Sequence, residues 1–310
     1  MAKNQYSSTG TITRDNFPDL VSRMFDKIWM RKEEFAGVLA QFFNIVRIDS
    51  GSTWNCTTVG GEQDMPMVNE DTQPLPYFTP PPGFDKAFVV QNRRAAIRVT
   101  DTMISMNRHP EVMATLLGGM MKATMELDEY QRAAIFNNSF TSGLGADQSY
   151  MCADSHEHED PEAGTWDNLG TGALTGPNLQ SLRLLAYGME NAKGRPMPVE
   201  PKGLLVRQDL EQKALELSTA RQKPETALNE DNVLINAIPV IVSPHLTSTT
   251  AYWLIGNLAG EYMGLHEIVL QDWNVKDLAS DPDIPINKRV KSIKTFGFST
   301  TKNVFGSTGA

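Results

Sequence analysis

Apolar positions set the first landmarks. Met24, Phe25, Ile28, Trp29, Phe35, Val38, Leu39, Phe42 and Phe43 recur in pairs three to four apart, interrupted midway by Arg31, Lys32, Glu33 and Glu34. That spacing predicts one amphipathic helix or two short ones, with the stripe facing the core or docking on a neighbouring subunit. The first 16 residues are polar, rich in Ser, Thr, Asn and Gly, and read as an arm. Between 45 and 59 the period shortens. Ile45, Val46, Ile48, Thr53, Trp54, Thr57, Thr58 and Val59 favour strands, and Gly60-Gly61 stops them. Pro66, Pro74, Pro76, Pro80, Pro81 and Pro82 then crowd into 17 residues. Proline removes backbone donors and is excluded from central strands, so this stretch is expected to be extended, with a reach on the order of 50 Å. Regular patterning resumes at Phe84. From Arg94 to Thr100, Ala95, Ile97 and Val99 point one way and Arg94, Ala96, Arg98 and Thr100 the other. The unit reads as two strands joined by a proline-stiffened excursion. With few apolar anchors, the excursion is either a surface loop or an arm that gains its partners from another chain; the second reading is preferred.

The longest helical signal follows. Pro110 suits a first helical position, and Val112, Met113, Leu116, Leu117, Met120, Met121, Met125, Leu127, Ala134 and Ile135 continue it to Asn137-Asn138. Gly118-Gly119 weakens its middle and permits a bend or a close crossing. Residues 143–176, rich in glycine and acids, read as loop. A second helix is expected from Pro177 to a stop at Gly194, a strand at Gly203–Val206 and a short helix from Asp209 to Leu217. Strand candidates follow at 233–235, 240–242, 252–255 and 265–270, and in a C-terminal stretch containing Lys288, Arg289, Lys291, Lys294 and Lys302. Helices and strands mix without a βαβ rhythm, so the fold class expected is α+β.

The chain of 310 residues carries 28 Lys and Arg against 37 Asp and Glu, a formal charge of −9. That balance argues against a protein whose main task is gripping nucleic acid. Cys56 and Cys152 are too few for a zinc cluster or disulfide framework and fit a reducing compartment. The start, Met-Ala-Lys-Asn-Gln-Tyr, has no apolar core of a signal peptide, and no apolar run approaches a membrane span. No phosphate-loop, dinucleotide, nucleophile-elbow or HExxH motif is present. His156-Glu157-His158-Glu159-Asp160 has ligand chemistry, but Asp147, Asp154, Glu157, Glu159, Asp160 and Glu162 together read as a solvated acidic loop. His109, His245 and His266 are isolated and read as capping or core histidines. No catalytic residue, metal ligand or cofactor is expected. Arg93, Arg94 and Arg98 form a small basic patch suited to an acidic neighbour. The cationic C-terminal stretch and the acidic loop are one candidate pair, within or between chains.

Several blocks then resemble a known family. Tyr150-Met-Cys-Ala-Asp154-Ser-His156, Trp166-Asp-Asn-Leu-Gly170, Gly172-Ala-Leu-Thr175 and Asn191-Ala-Lys-Gly194-Arg195-Pro196 lead in order to Pro201-Lys-Gly-Leu204-Leu205-Val206, Ile241-Val-Ser-Pro244-His-Leu246 and Tyr252-Trp253-Leu254. Their order and spacing over about residues 150–255 are similar to the major capsid proteins of tailed bacteriophages, the HK-ninety-seven-type fold, most of all to Mu-like major head subunits. The resemblance implies an N-terminal arm and helix (1–45), an extended loop (46–100), a peripheral domain with a long spine helix (101–170 and 285–310) and an axial domain (171–284). It implies a structural protein, not an enzyme, that self-assembles into hexamers and pentamers of an icosahedral shell around double-stranded DNA, read without sequence specificity. Portal, scaffolding or decoration proteins would be its further partners. It would reside in the virion, assembled in the host bacterial cytoplasm, with no membrane contact. The candidate inter-subunit contacts are Trp54, Pro80, Pro81, Phe84, Arg93, Arg94, Arg98, Lys288 and Arg289. No long helical scaffolding segment precedes the arm, so scaffolding is expected to be separate or unnecessary. For a Lys–Asn cross-link of the kind some members form, the extended loop offers only Lys86, with Asn303 one possible partner, and no motif supports it. An encapsulin-like compartment is the near alternative and a metal-dependent hydrolase built on His156 and His158 the distant one.

Overall fold

A computed structural model describes residues 37–58, 83–99, 110–160, 163–222, 231–232, 238–258, 264–278 and 286–310. A short 3-10 helix (Val38–Phe42) is followed by strands β1 (Asn44–Arg47), β2 (Thr53–Thr57), β3 (Asp85–Val89) and β4 (Gln91–Val99), then helix α1 (Pro110–Asn137). Next come β5 (His156–Glu157), β6 (Thr165–Trp166), β7 (Leu169–Gly170), helix α2 (Gly176–Tyr187), β8 (Pro201–Val206) and helix α3 (Gln208–Thr219). Strands β9 (Val240–Val242), β10 (Tyr252–Gly256), β11 (Leu265–Asp277), β12 (Ile286–Phe298) and β13 (Val304–Ser307) complete the chain. This is a mixed helix-and-sheet fold. The chain forms two compact units. The first takes in Gln91–Asp128 and Gln271–Lys294, the second Val38–Val90, Glu129–Leu270 and Thr295–Ala310. Helix α1 and strands β11 and β12 run through both.

The second unit is built on a five-stranded sheet in the order β7-β13-β10-β8-β9. Its centre is β10, buried along its whole length. Alternation sends Trp253 and Ile255 to one face and Tyr252 and Leu254 to the other. The first pair joins Leu39, Phe42, Phe136, Met151, Phe298 and neighbours in one apolar cluster. The second joins Leu179 and Leu182 of α2, Leu217 of α3 and Phe305 in another. A strand covered on both faces reads as a continuous apolar run, which is why Tyr252–Ile255 lacks polar alternation. Each fully buried large side chain contributes about 1.5–3 kcal/mol. The Trp253 indole N–H donates to Ser139 Oγ at 3.0 Å, so its polar edge is satisfied inside the core. Helix α2 starts where Thr175 Oγ1 accepts from the Asn178 N–H, with Pro177 in the first turn. It ends at Gly188, ahead of the expected Gly194. Glu190 bridges Pro196 and Gly194 adopts φ +70°, so residues beyond Gly188 form a turn instead of another helical turn.

Three expectations change. Residues 143–176 are not all loop: β5 pairs antiparallel with β6, and β7 pairs parallel with β13. The partner of the strand at 53–57 is Asp85–Val89, with Thr57 opposite Asp85 and Thr53 opposite Val89. The strand at 91–99 instead pairs antiparallel with β12. Of the first predicted helix, residues 24–36 lie outside the described residues. The described end forms a 3-10 turn with Leu39, Phe42 and Phe43 buried, and β1 then pairs parallel with the start of β11. The proline excursion and the strand candidate at 233–235 also lie outside the described residues.

In the first unit β4 and β12 are the ribbon at the β4 edge of a four-stranded sheet, order β1-β11-β12-β4, in which Arg94 stands opposite Lys291, Ala96 opposite Arg289 and Arg98 opposite Asn287. Beneath it lies a buried polar triad. The Trp273 indole N–H donates to Asp128 Oδ2 at 2.8 Å, and the Lys294 ammonium donates to the same oxygen.

Candidate assembly surface

The hairpin of β2 and β3 carries the first candidate contacts. Its inner face presents Trp54, Cys56, Lys86 and Phe88, and its outer face is exposed, with Val89 62 % accessible. Trp54 stacks on Phe88 at 5.6 Å between ring centroids and meets the edge of His266 at 5.4 Å. It is therefore a half-buried prop of its own hairpin. Phe84 is half-buried at the hairpin's open end, where its carbonyl accepts from the Thr58 N–H at 2.9 Å and its N–H donates to Thr58 Oγ1 at 3.0 Å. Pro80 and Pro81 lie outside the described residues. Lys86 turns inward: its ammonium donates to Leu144 O at 2.5 Å and Phe298 O at 2.6 Å and sits 4.2 Å from the Phe298 ring centre. Burial pulls its pKa down to about 8, against the opposing pull of Asp147 and Cys56. Asn303 is buried, with its side-chain oxygen accepting from the Leu258 N–H at 3.0 Å. Lys86 and Asn303 are thus both committed to their own subunit.

The basic residues divide into two groups. Lys288 is 5 % exposed and pairs with Asp277 at 3.1 Å, Lys294 lies on Asp128, and Lys302 donates to Glu159 at 2.9 Å. These three lysines pair with acids of their own chain. Arg94 and Arg98 are exposed and Arg93 and Arg289 half-buried. Period-two alternation puts Arg94, Arg98, Arg289 and Lys291 on one face of the ribbon, with Arg93 and Lys288 on the other.

The acidic loop is solvated only in part: Asp154 and Glu157 are exposed, while other groups are paired inside. His156 is fully buried, with Nδ1 2.5 Å from Asp147 Oδ2, Nε2 3.1 Å from Asn168 Oδ1, and its ring stacked on Trp166 at 4.2 Å. Glu159 is 8 % exposed under Lys302. His158 is also buried, with Glu190 Oε2 at 3.8 Å from Nε2. Burial and the Lys302 charge lower its pKa, holding the ring neutral. The cavity among Asp147, Glu157, Glu159, Trp166 and Lys302 has room for about one water molecule. The His156–Asp147 and Lys302–Glu159 pairs tie the loop to the body of the unit. His266 is buried with Nε2 2.6 Å from Ser299 Oγ, while His245 contributes its carbonyl to the Asn137 side-chain N–H. Cys152 is buried, and burial raises its pKa far above the ordinary thiol value.

Comparison with known proteins decides what such a surface belongs to. A family profile described as "Phage capsid protein" matches residues 86–297, more than half of the chain. The chain belongs to that phage capsid protein family. Among solved structures, the capsid of bacteriophage JBD30 is similar to it at 11 % identity and TM-score 0.54, covering 66 % of this chain and 89 % of that one. The capsid of cyanophage P-SCSP1u gives 11 % identity and TM-score 0.53 over 86 % of each chain. Microbacterium phage Oxtober96 gives 12 % and 0.51 over 88 % of this chain and 86 % of that one. At these identities the likeness is one of fold. No curated protein matches the sequence. The family points to structural work.

Two polar groupings in this capsid protein escaped sequence reading: the Asp128–Trp273–Lys294 triad and the buried Arg132, bonded to Glu129 at 3.3 Å and Glu267 at 2.7 Å. A usable signal exists. Asp128, Glu129 and Arg132 fall among the apolar positions Leu127, Ala133 and Phe136 near the end of a helical stripe, where ionised groups persist only with partners.

Proposed function

We propose that this chain is the major capsid (head) protein of a tailed bacteriophage, most akin to Mu-like head subunits, and that it assembles into hexamers and pentamers of an icosahedral shell enclosing double-stranded DNA. The family match over residues 86–297 carries the reading. Capsid folds at TM-scores above 0.5 support it. In it, residues 171–284 form the axial domain around the ring axes and residues 101–170 with 285–310 the peripheral domain, with α1 as the spine helix. Residues 46–100 are the loop that reaches a neighbour. Head-to-tail contacts close only when the rotation per subunit fits the ring, and many modest contacts together give a shell that dissociates slowly. The test is negative-stain microscopy and sedimentation of the overexpressed chain. Closed particles of uniform diameter are expected. A single-copy species at every concentration overturns the proposal, and particles holding a cargo protein in place of DNA-packaging components turn it to an encapsulin-type container.

A further inference from the structure

The four cations left after internal pairing share one face of the β4–β12 ribbon: Arg94 and Arg98 exposed, Arg289 and Lys291 half-buried. Arg94 faces Lys291 directly, an arrangement that weakens a strand pair taken alone. Among the described residues none of the four joins an ion pair, and Arg289 Nε is buried without a hydrogen-bond partner. The lysines of the same stretch behave oppositely, since Lys288, Lys294 and Lys302 each sit on an acid of their own chain. The face is therefore an unmet positive surface, and its partner must be anionic.

The distribution of charge names the partner. Gln91–Asp128 and Gln271–Lys294, which carry the ribbon, hold ten Lys and Arg against eight Asp and Glu. The other unit holds 12 against 24. A molecule that is basic in one unit and strongly acidic in the other attracts further copies of itself head to tail. Within the acidic unit, Asp147 and Glu159 are occupied by His156 and Lys302. Asp154 and Glu157 are exposed and join no ion pair among the described residues. We infer that the cationic face of the β4–β12 ribbon, Arg94, Arg98, Arg289 and Lys291, docks on the acidic loop of a second copy of this chain at Asp154 and Glu157. Arginine suits the role because its planar fork bonds carboxylates bidentately. The small Ala96 between Arg94 and Arg98 leaves the centre of the face open to an incoming loop. This inference rests on the shell reading above.

Charge exchange in the full chain tests it. Arg94→Glu with Lys291→Glu should raise the concentration needed for assembly on the order of tenfold or more, because like charges then meet at the contact. Circular dichroism and the melting temperature of the unassembled chain should stay unchanged. Adding Asp154→Lys and Glu157→Lys to the same chain should recover a large part of the lost assembly, since the two reversed positions of the ribbon then face opposite charges again. Where the reversed variant melts early, Arg94→Gln with Lys291→Gln takes its place, with a smaller shift in the same direction and a weaker salt dependence. Unchanged assembly in the reversed variant, or no recovery on the double exchange, overturns the inference while leaving the shell reading intact. Normal shells that retain less duplex DNA also overturn it and give the face to nucleic acid. A wild-type chain that never assembles sinks both.

Discussion

At the scale of single residues, the chain keeps its ionisable groups by pairing or neutralising them. Lys302 on Glu159 and Arg132 between Glu129 and Glu267 are charges held inside by opposite charges. His266 is neutralised instead. Buried against Trp54 and Phe88, with the Lys86 ammonium as a second and smaller cause, its pKa is pushed down to about 4 from 6.5. Between those two values the unfolded chain binds the extra proton, so its contribution is complete above pH 6.5 and is lost as pH falls toward 4. The loss amounts to at most about 3 kcal/mol. Urea unfolding of wild type and His266→Gln across this window should show a steeper fall in stability for wild type, and equal slopes would refute the assignment. His266, which is buried, was legible as a core histidine. The partners of His156 were not. Asp147 and Asn168 lie 9 and 12 residues from it in sequence, and only the β5–β6 pairing closes the distance.

At the scale of elements, periodicity worked where an element was long and one-sided. The span of α1 was legible almost to the residue, because ten apolar positions repeat between a proline and an Asn-Asn stop. β10 was legible as an apolar run. The two-residue strands β5, β6 and β7 carry too few positions to show any period, and the pairing of β4 with β12 joins segments about 200 residues apart that no local pattern links. Within α1 the Gly118-Gly119 pair is open to the removal of its freedom: a Cβ at either position meets nothing within 4 Å. Alanine in place of a mid-helix glycine restricts the unfolded chain and favours the helix by about 0.5–1 kcal/mol. Gly119→Ala should therefore raise the urea midpoint of the unassembled chain at unchanged slope. A lowered midpoint would mean that the helix needs its glycine within the subunit.

At the scale of the whole molecule, the proposed work lies between copies, and the segment expected to carry it is the proline-rich excursion. The described structure shows what holds its base. Thr57 stands opposite Asp85, and Thr58 and Phe84 exchange bonds at 2.9 and 3.0 Å, so the chain leaves and returns at adjacent points of one hairpin. Removing residues 62–82 would leave Val59, Gly60, Gly61 and Gly83 between Thr58 and Phe84, a four-residue connection with three glycines. Such a loop closes an antiparallel hairpin without strain. Shortening the connection also lowers the entropy cost of closing it, by roughly 1–2 kcal/mol. On these grounds the shortened chain should be soluble, native by circular dichroism and slightly more resistant to urea. If the excursion is the arm that neighbours share, this well-folded chain should form no closed shells under conditions where wild type does. Shells of normal diameter from the shortened chain would show that assembly runs through other surfaces, while an unfolded product would show that the hairpin draws its stability from the segment removed.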